Sequence, residues 1–223
     1  NRTFNAGHTI DTTIKVLNWS PNARVDINFS DFEMLRINYR GRTSQPGISQ
    51  MMPIPDNSNP QRVKLGNLGL SPYFTHNMEV MYRTTNVRNY ASLNAHINLT
   101  YNTSSIVNAS WYDRSGVQYT VPMNNDKGSY SANTFIMFNT PIAKSKFSIM
   151  SFTMGNFSTG VSFVGKEGIV SDDAASYLNP DSYTRNGYKN VSAAENLRLT
   201  YRDDIFEIAL GGGTRYSQAF YSV

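Results

Sequence analysis

Apolar and polar residues alternate one for one through much of this chain. That period of two constrains the fold more than any other feature, because only an extended strand with different surroundings on its two faces requires it. Over residues 24–29, Val25, Ile27 and Phe29 fall on one side and Arg24, Asp26 and Asn28 on the other. Ser30-Asp31-Phe32-Glu33 supplies turn chemistry, after which Leu35, Ile37 and Tyr39 alternate with Arg36, Asn38 and Arg40, so a β-hairpin is expected here. The design returns in Met78, Val80 and Tyr82, and again in Leu93, Ala95, Ile97, Leu99 and Tyr101 against Asn94, His96, Asn98 and Thr100. Further strands are expected over residues 130–139, 147–161, 196–202 and 205–210, the last continuing towards Val223. The total is about eight, with lengths suited to crossing a bilayer.

The connections between these segments alternate in length. Residues 30–33, 84–89, 140–146 and 202–204 are short links, whereas residues 41–71, 103–127 and 162–188 are long ones. Membrane barrels sort their loops this way, with tight turns at one end and long loops at the other, while soluble sandwiches have no reason to. The expected fold is therefore all-β, with the antiparallel up-and-down strands of a transmembrane β-barrel. Aromatic residues at strand ends (Phe29, Tyr39, Tyr82, Tyr101 and Tyr201) suit rings at headgroup level, or else cap an ordinary core. The chain has 14 Tyr and 12 Phe but two Trp, and its charged fraction of 16% is low, so polar solvation falls to Asn, Ser, Thr and Arg on one strand face. The longest apolar run is Phe135-Ile136-Met137-Phe138, far below the ~18 residues of a membrane helix, which leaves strands as the only means of crossing. A soluble all-β sandwich acting as a surface binding module is the alternative, with the same apolar faces packed together.

Chemistry-bearing constellations are scarce. The net charge of +4 has no basic stripe behind it, since Lys and Arg are dispersed and never occur three in a row, so no nucleic acid is expected as a partner. Cysteine is absent, and His8, His76 and His96 lie in unrelated segments without a nucleophile or metal-ligand spacing. The expectation is no catalytic residue, no metal, no cofactor and no enzyme. His96 alternates with Asn94 and Asn98 and reads as a residue of the polar face. Asp203-Asp204 reads as a hairpin turn, and Gly211-Gly212-Gly213 as a place where a strand bends or another backbone comes close. The prolines over residues 46–60 argue against a helix in the first long loop, while Ser171 is positioned to cap a short helical turn over residues 172–177. Trp111 and Tyr112, followed by Asp113-Arg114-Ser115-Gly116, look like the tip of a long hairpin. They are the candidate ligand-binding residues, with local packing as the competing role.

One stretch carries a family signature. Asn38-Tyr39-Arg40-Gly41-Arg42-Thr43-Ser44-Gln45-Pro46-Gly47, then Pro53-Ile54-Pro55-Asp56-Asn57-Ser58-Asn59-Pro60, then Gly66-Asn67-Leu68-Gly69-Leu70-Ser71-Pro72 resembles the TonB-dependent receptor or outer-membrane protein β-barrel family of Bacteroidetes. There an upward strand enters an outer loop through a Gln-Pro element, and a Gly-Asn-Pro-x-Leu-x-Pro element leads into the next downward strand. Leu68-Gly69 departs from that second element. The resemblance implies residence in the bacterial cell outer membrane and import of a nutrient such as a siderophore, glycan or peptide. It implies as partners the membrane lipid, the remaining barrel strands, a plug domain, TonB acting through that plug, and a surface lipoprotein. No plug is recognisable in this sequence, and residues 1–8 and 218–223 look like strand segments. The chain is accordingly expected to be one segment, residues 1–223, of a larger barrel domain of roughly 22 strands.

Overall fold

A computed structural model describes residues 18–142 and 145–222; the repetitive segment at residues 1–8, with His8, lies outside them. β1 (Asn22–Ser30) and β2 (Glu33–Ser44) form the first hairpin. The connection after it holds a four-residue helix, α1 (Ile48–Met51), and a small ribbon of β3 (Asp56–Asn59) and β4 (Arg62–Lys64). β5 (Tyr73–Thr85) and β6 (Ser92–Asn102) follow, and the next long loop carries the hairpin β7 (Ile106–Tyr112) and β8 (Gln118–Asn124). β9 (Ser129–Pro141) and β10 (Phe147–Gly165) precede a loop with α2 (Ala174–Tyr177) and a 3-10 turn at Pro180–Ser182, and β11 (Tyr183–Arg202) and β12 (Glu207–Ser222) complete the order.

Eight of these strands form one wall in the order β1-β2-β5-β6-β9-β10-β11-β12, each antiparallel to its neighbours. Every tight turn lies at one end and every long loop at the other, because each strand simply returns alongside the one before it. Opposite residues share a face, so Val25, Ile37, Val80 and Ile97 line up across four strands, with Asp26, Arg36 and Met81 in the row behind. The alternation in sequence thus becomes one apolar and one largely polar surface, the latter broken on β9 and β10 by Phe135 and Phe152, whose rings meet at 4.7 Å. Among the described residues no second sheet covers the apolar surface: Val25 is 51% exposed, Leu197 54% and Leu210 71%. A sandwich would have buried these side chains, and that alternative is set aside.

The structure departs from the sequence reading in the long loops. The expected strands number about eight and are the wall; four more, β3, β4, β7 and β8, lie in the loops. β10 and β11 overshoot β9, and β7 takes up the freed edge of β10 in parallel register, with Phe163 opposite Ala109 and Val164 opposite Ser110; β4 adds to β8, also in parallel. The dense core sits in this loop layer and not in the wall: Leu65, Ala109, Trp111, Val121, Met123 and Tyr183 are buried together, and Phe163, Ile169, Tyr177 and Leu178 pack against them. A helix does form in the first loop, against expectation, but it is a single turn fitted between Pro46 and Pro53, with the Gln50 side chain accepting from the Gly47 N–H at 2.8 Å. In the third loop Asp173 and not Ser171 caps the turn, its carboxylate accepting from the Ala175 N–H at 3.0 Å. β11 starts at Tyr183, well before the expected residue 196.

Candidate functional site

The polar face of β1, β2, β5 and β6 is a continuous hydrogen-bonded surface. Asp26 accepts from Arg24 Nε and Arg36 Nε, each at 2.6 Å, a pairing that the alternation of β1 and its register with β2 dictate. One row further, Glu79 accepts from Asn38 Nδ2 at 3.0 Å and lies 2.7 Å from His96 Nε2; an ionised carboxylate only accepts, which puts a proton on that nitrogen. Asn77 Nδ2 is shared between Asn98 Oδ1 and Thr100 Oγ1 at 3.2 and 3.1 Å, and Thr75 donates to Asn102 at 2.7 Å. Above Asp26 and Glu79 this surface forms a groove of about 680 Å³ lined by Asn22, Arg24, Asn38, Arg40, Arg42 and Asn77. Arg40 and Arg42 make no ion pair among the described residues, so the groove offers guanidinium and amide donors to whatever enters it. Sequence reasoning put His96 on this face but missed Glu79 and Arg42, although the alternation of β5 and β2 extended to both.

Two aromatic rows bound the apolar face. At the loop end Trp19, Phe74, His76, Tyr101 and Tyr130 run across the strands in contact, with ring centroids 5.7, 4.7, 5.8 and 4.5 Å apart in turn, and Tyr39 Oη lies 2.9 Å from His76 Nδ1. At the turn end Phe147, Tyr201 and Phe206 are in contact at 4.9 and 5.8 Å. Phe147 and Phe157 mark the two levels on β10. Ten residues at roughly 3.3 Å each give about 33 Å along the strand, and a tilt of about 40° reduces this to about 25 Å, the height of the apolar band of an outer-membrane barrel. Two carboxylates share this face: Glu33 at the turn end, which accepts from the Tyr82 hydroxyl at 2.7 Å, and Glu195 within the band. Glu195, opposite Thr153 and Thr214, accepts from the hydroxyls of Ser151, at 2.6 Å, and Thr153. Two donors from the same face thus satisfy it locally, which lowers what a polar group costs there.

The loop layer contains the two candidate ligand residues and separates them. Trp111 is buried, 3% exposed, its ring stacked with Tyr119 and Tyr177 at 5.4 and 6.0 Å and edge-on to Tyr183, so it belongs to the core. Tyr112 points outward, 68% exposed, at the end of β7. The turn beyond it is held by Asp113, whose carboxylate accepts from the Ser115 hydroxyl at 2.7 Å and from the Ser115 and Val117 N–H groups. The Ser115 hydroxyl is the main cause, with those N–H groups, of a carboxyl pKa below the ordinary 3.8. A lowered folded-state pKa means that the turn is fully supported above that value and loses support as the pH falls through the depressed one. Pepsin cleavage between residues 112 and 118 should therefore rise as the pH falls below 3.8, relative to cleavage of Asp113→Asn, which lacks the charge at every pH. A constant ratio across that range would refute the role of Asp113. Asp56, at the start of β3, is held low in the same way, by the Ser58 hydroxyl, the Ser58 N–H and Lys64.

A wall of eight strands, unclosed among the described residues, with an apolar band between two aromatic rows, a largely polar opposite face and all long loops at one end is the wall of a transmembrane β-barrel. Residues 3–204 match the Outer membrane protein beta-barrel family, and the chain belongs to that family. It is accordingly a protein of the bacterial outer membrane, with the apolar band towards lipid, the polar face towards the lumen and the loop layer outside. Proteins of this family are typically non-enzymatic. Comparison with curated proteins and with solved structures finds no match.

Proposed function

We propose that these strands are wall and outer loops of a TonB-dependent transporter that imports a nutrient, of the siderophore, glycan or peptide class. The observation that carries this reading is the lumen-side groove, where Arg40, Arg42, Asn38 and Asn77 present donors to a solute rich in hydroxyl or carboxylate oxygens. Two features add support. The Gln45-Pro46-Gly47 element leaves β2 at its outer end. The Gly66 to Pro72 element leads down into β5, anchored by Asn67, which donates to the Pro122 carbonyl at 2.9 Å. β1 and β12 each pair on one side only among the described residues, and unpaired strand edges are not tolerated in lipid, so further strands complete the barrel. In that assembly the loops and a plug domain capture the ligand, TonB rearranges the plug, and a surface lipoprotein joins the loops from outside.

The test is uptake of candidate nutrients by cells in which the full-length protein is the sole route. Removal of TonB should reduce uptake to background, and Arg40→Gln with Arg42→Gln should weaken capture of the ligand. Uptake that persists undiminished without TonB would make the barrel a passive pore and overturn the proposal.

A further inference from the structure

At the outer end of the lipid-facing surface, β10, β11 and β12 enclose with the head of β9 a cavity of about 530 Å³, and its lining combines Lys127, Arg185 and Lys189 with Tyr130, Phe157 and Phe220. We propose that this cavity binds a phosphorylated glycolipid of the outer leaflet, its phosphate between the three cations and its acyl chains along the aromatic rings.

Register carries the argument. Lys189 stands opposite Thr159 and Phe220, and Arg185 opposite Phe163, so both share the face of Val191, Leu197 and Leu199. Every other Lys and Arg of the eight wall strands has the opposite parity and faces the lumen. Two cations have thus been placed on the one surface where lipid makes a charge costly, and both stand above the level of Phe157, where acyl chains give way to headgroups. The lipid-facing side of β2, β5 and β6, with Gly41, His76 and Tyr101 in the hydrogen-bonded row of Lys189, carries no cation, so the site is local and not a property of the whole rim.

The surroundings suit an anion. No Asp or Glu lines the cavity, and none of the three cations forms an ion pair among the described residues. Arg185 is held from behind, one Nη donating to Oδ1 of the buried Asn125 at 3.3 Å, and its remaining N–H groups are left for a ligand. Thr159 is already engaged, its Oγ1 accepting from the Tyr130 N–H at 2.8 Å, and this pins the Tyr130 backbone beside Phe157. Tyr130, Phe157 and Phe220 remain 51%, 37% and 47% exposed, an apolar floor directly below the charges. A free phosphate would use the cations but leave this floor uncovered, which favours an amphiphile.

The experiment is native mass spectrometry of the full-length protein released from detergent micelles, with bisphosphorylated lipid A as the probe. One lipid A should remain bound, and enzymatically dephosphorylated lipid A should bind far more weakly. Replacing all three cations (Lys127→Gln, Arg185→Gln and Lys189→Gln) should weaken binding about a hundredfold, at roughly a factor of five per cation near a membrane surface. Arg83→Gln, on the lumen face, should leave it unchanged. Equal binding of the two lipids by the unmodified protein would overturn the proposal without recourse to any variant. Displacement of lipid A by millimolar inorganic phosphate would overturn it in favour of a free-anion site. If the triple variant does not fold, the loop residue Lys127 alone, as Lys127→Gln, should still reduce binding several-fold.

Discussion

Replacing Ile97 by Arg should destabilise the folded barrel by about 2–4 kcal/mol, the cost of a cation at the midplane of the lipid-facing surface. Ile97 lies in the row Val25, Ile37, Val80, Ile97 and Thr134, with Leu93 and Tyr101 of the same strand towards the two headgroup levels. An arginine side chain there must either stay in hydrocarbon or bend along the surface towards one of those levels, disturbing the side chains it crosses. The adjacent residue is the internal control. Asn98 points into the lumen, stands opposite Glu79 and bonds to Asn77, so Asn98→Arg places the same charge among water, amides and a carboxylate, with an expected change near zero. Both variants of the full-length protein can be refolded into vesicles and titrated with denaturant, with the heat-resistant mobility of the folded barrel on gels as the readout. Equal losses for the two, or a larger loss for Asn98→Arg, would reverse the assignment of faces.

The wall was legible because its strands separate lipid from lumen, and an environment with two sides writes itself into the chain as alternation. β11 shows where this signal fails. Arg185, Gly187, Lys189, Ala193 and Glu195 all occupy its lipid-facing parity, so residues 183–195 show no apolar period and the strand could be read only from residue 196 onward. The two cations stand at headgroup level, and Glu195 is satisfied by Ser151 and Thr153, which lie some 40 residues away in sequence and become its neighbours only through the β10–β11 register. The three glycines at 211–213 differ: a Cβ at Gly213 would meet the Asn196 side chain first, Oδ1 at 2.1 Å, and the Glu195 carbonyl at 3.0 Å, whereas at Gly212 it would meet nothing within 4 Å. The loop layer was illegible for a different reason. β4 and β7 add to β8 and β10 in parallel register across long separations, and neither a parallel edge nor a core assembled from three loops leaves a local period. The lumen site lay between these extremes. Its residue types followed from the polar face, while its groove and the pairing of Glu79 with Asn38 and His96 depended on how three strands align.

Trp111→Ala should cost about 3–5 kcal/mol, as for other buried aromatic residues, and the loss should be confined to the loop layer. The ring contacts Tyr119, Tyr177 and Tyr183, which come from three separate elements, so its removal loosens β7–β8, the α2 turn and the start of β11 together. The wall below is held by its own ladders, notably the β10–β11 pairing that runs from Phe147 opposite Tyr201 to Gly165 opposite Tyr183. Trp111→Phe separates packing from polarity. Among the described residues the indole Nε1–H is buried without a hydrogen-bond partner, and an unsatisfied buried donor costs about 1–3 kcal/mol, so phenylalanine loses some volume but removes that penalty. Its net effect should stay within about 1 kcal/mol. Limited proteolysis of the protein on intact cells reads the outcome: Trp111→Ala should be cut within the outer loops while the membrane-embedded strands stay protected, and Trp111→Phe and the exposed-site variant Tyr112→Ala should resist like the parent. Loops that stay resistant in Trp111→Ala would mean that the layer does not depend on this core. Loss of the folded wall as well would mean that the layer and the barrel fold as one unit.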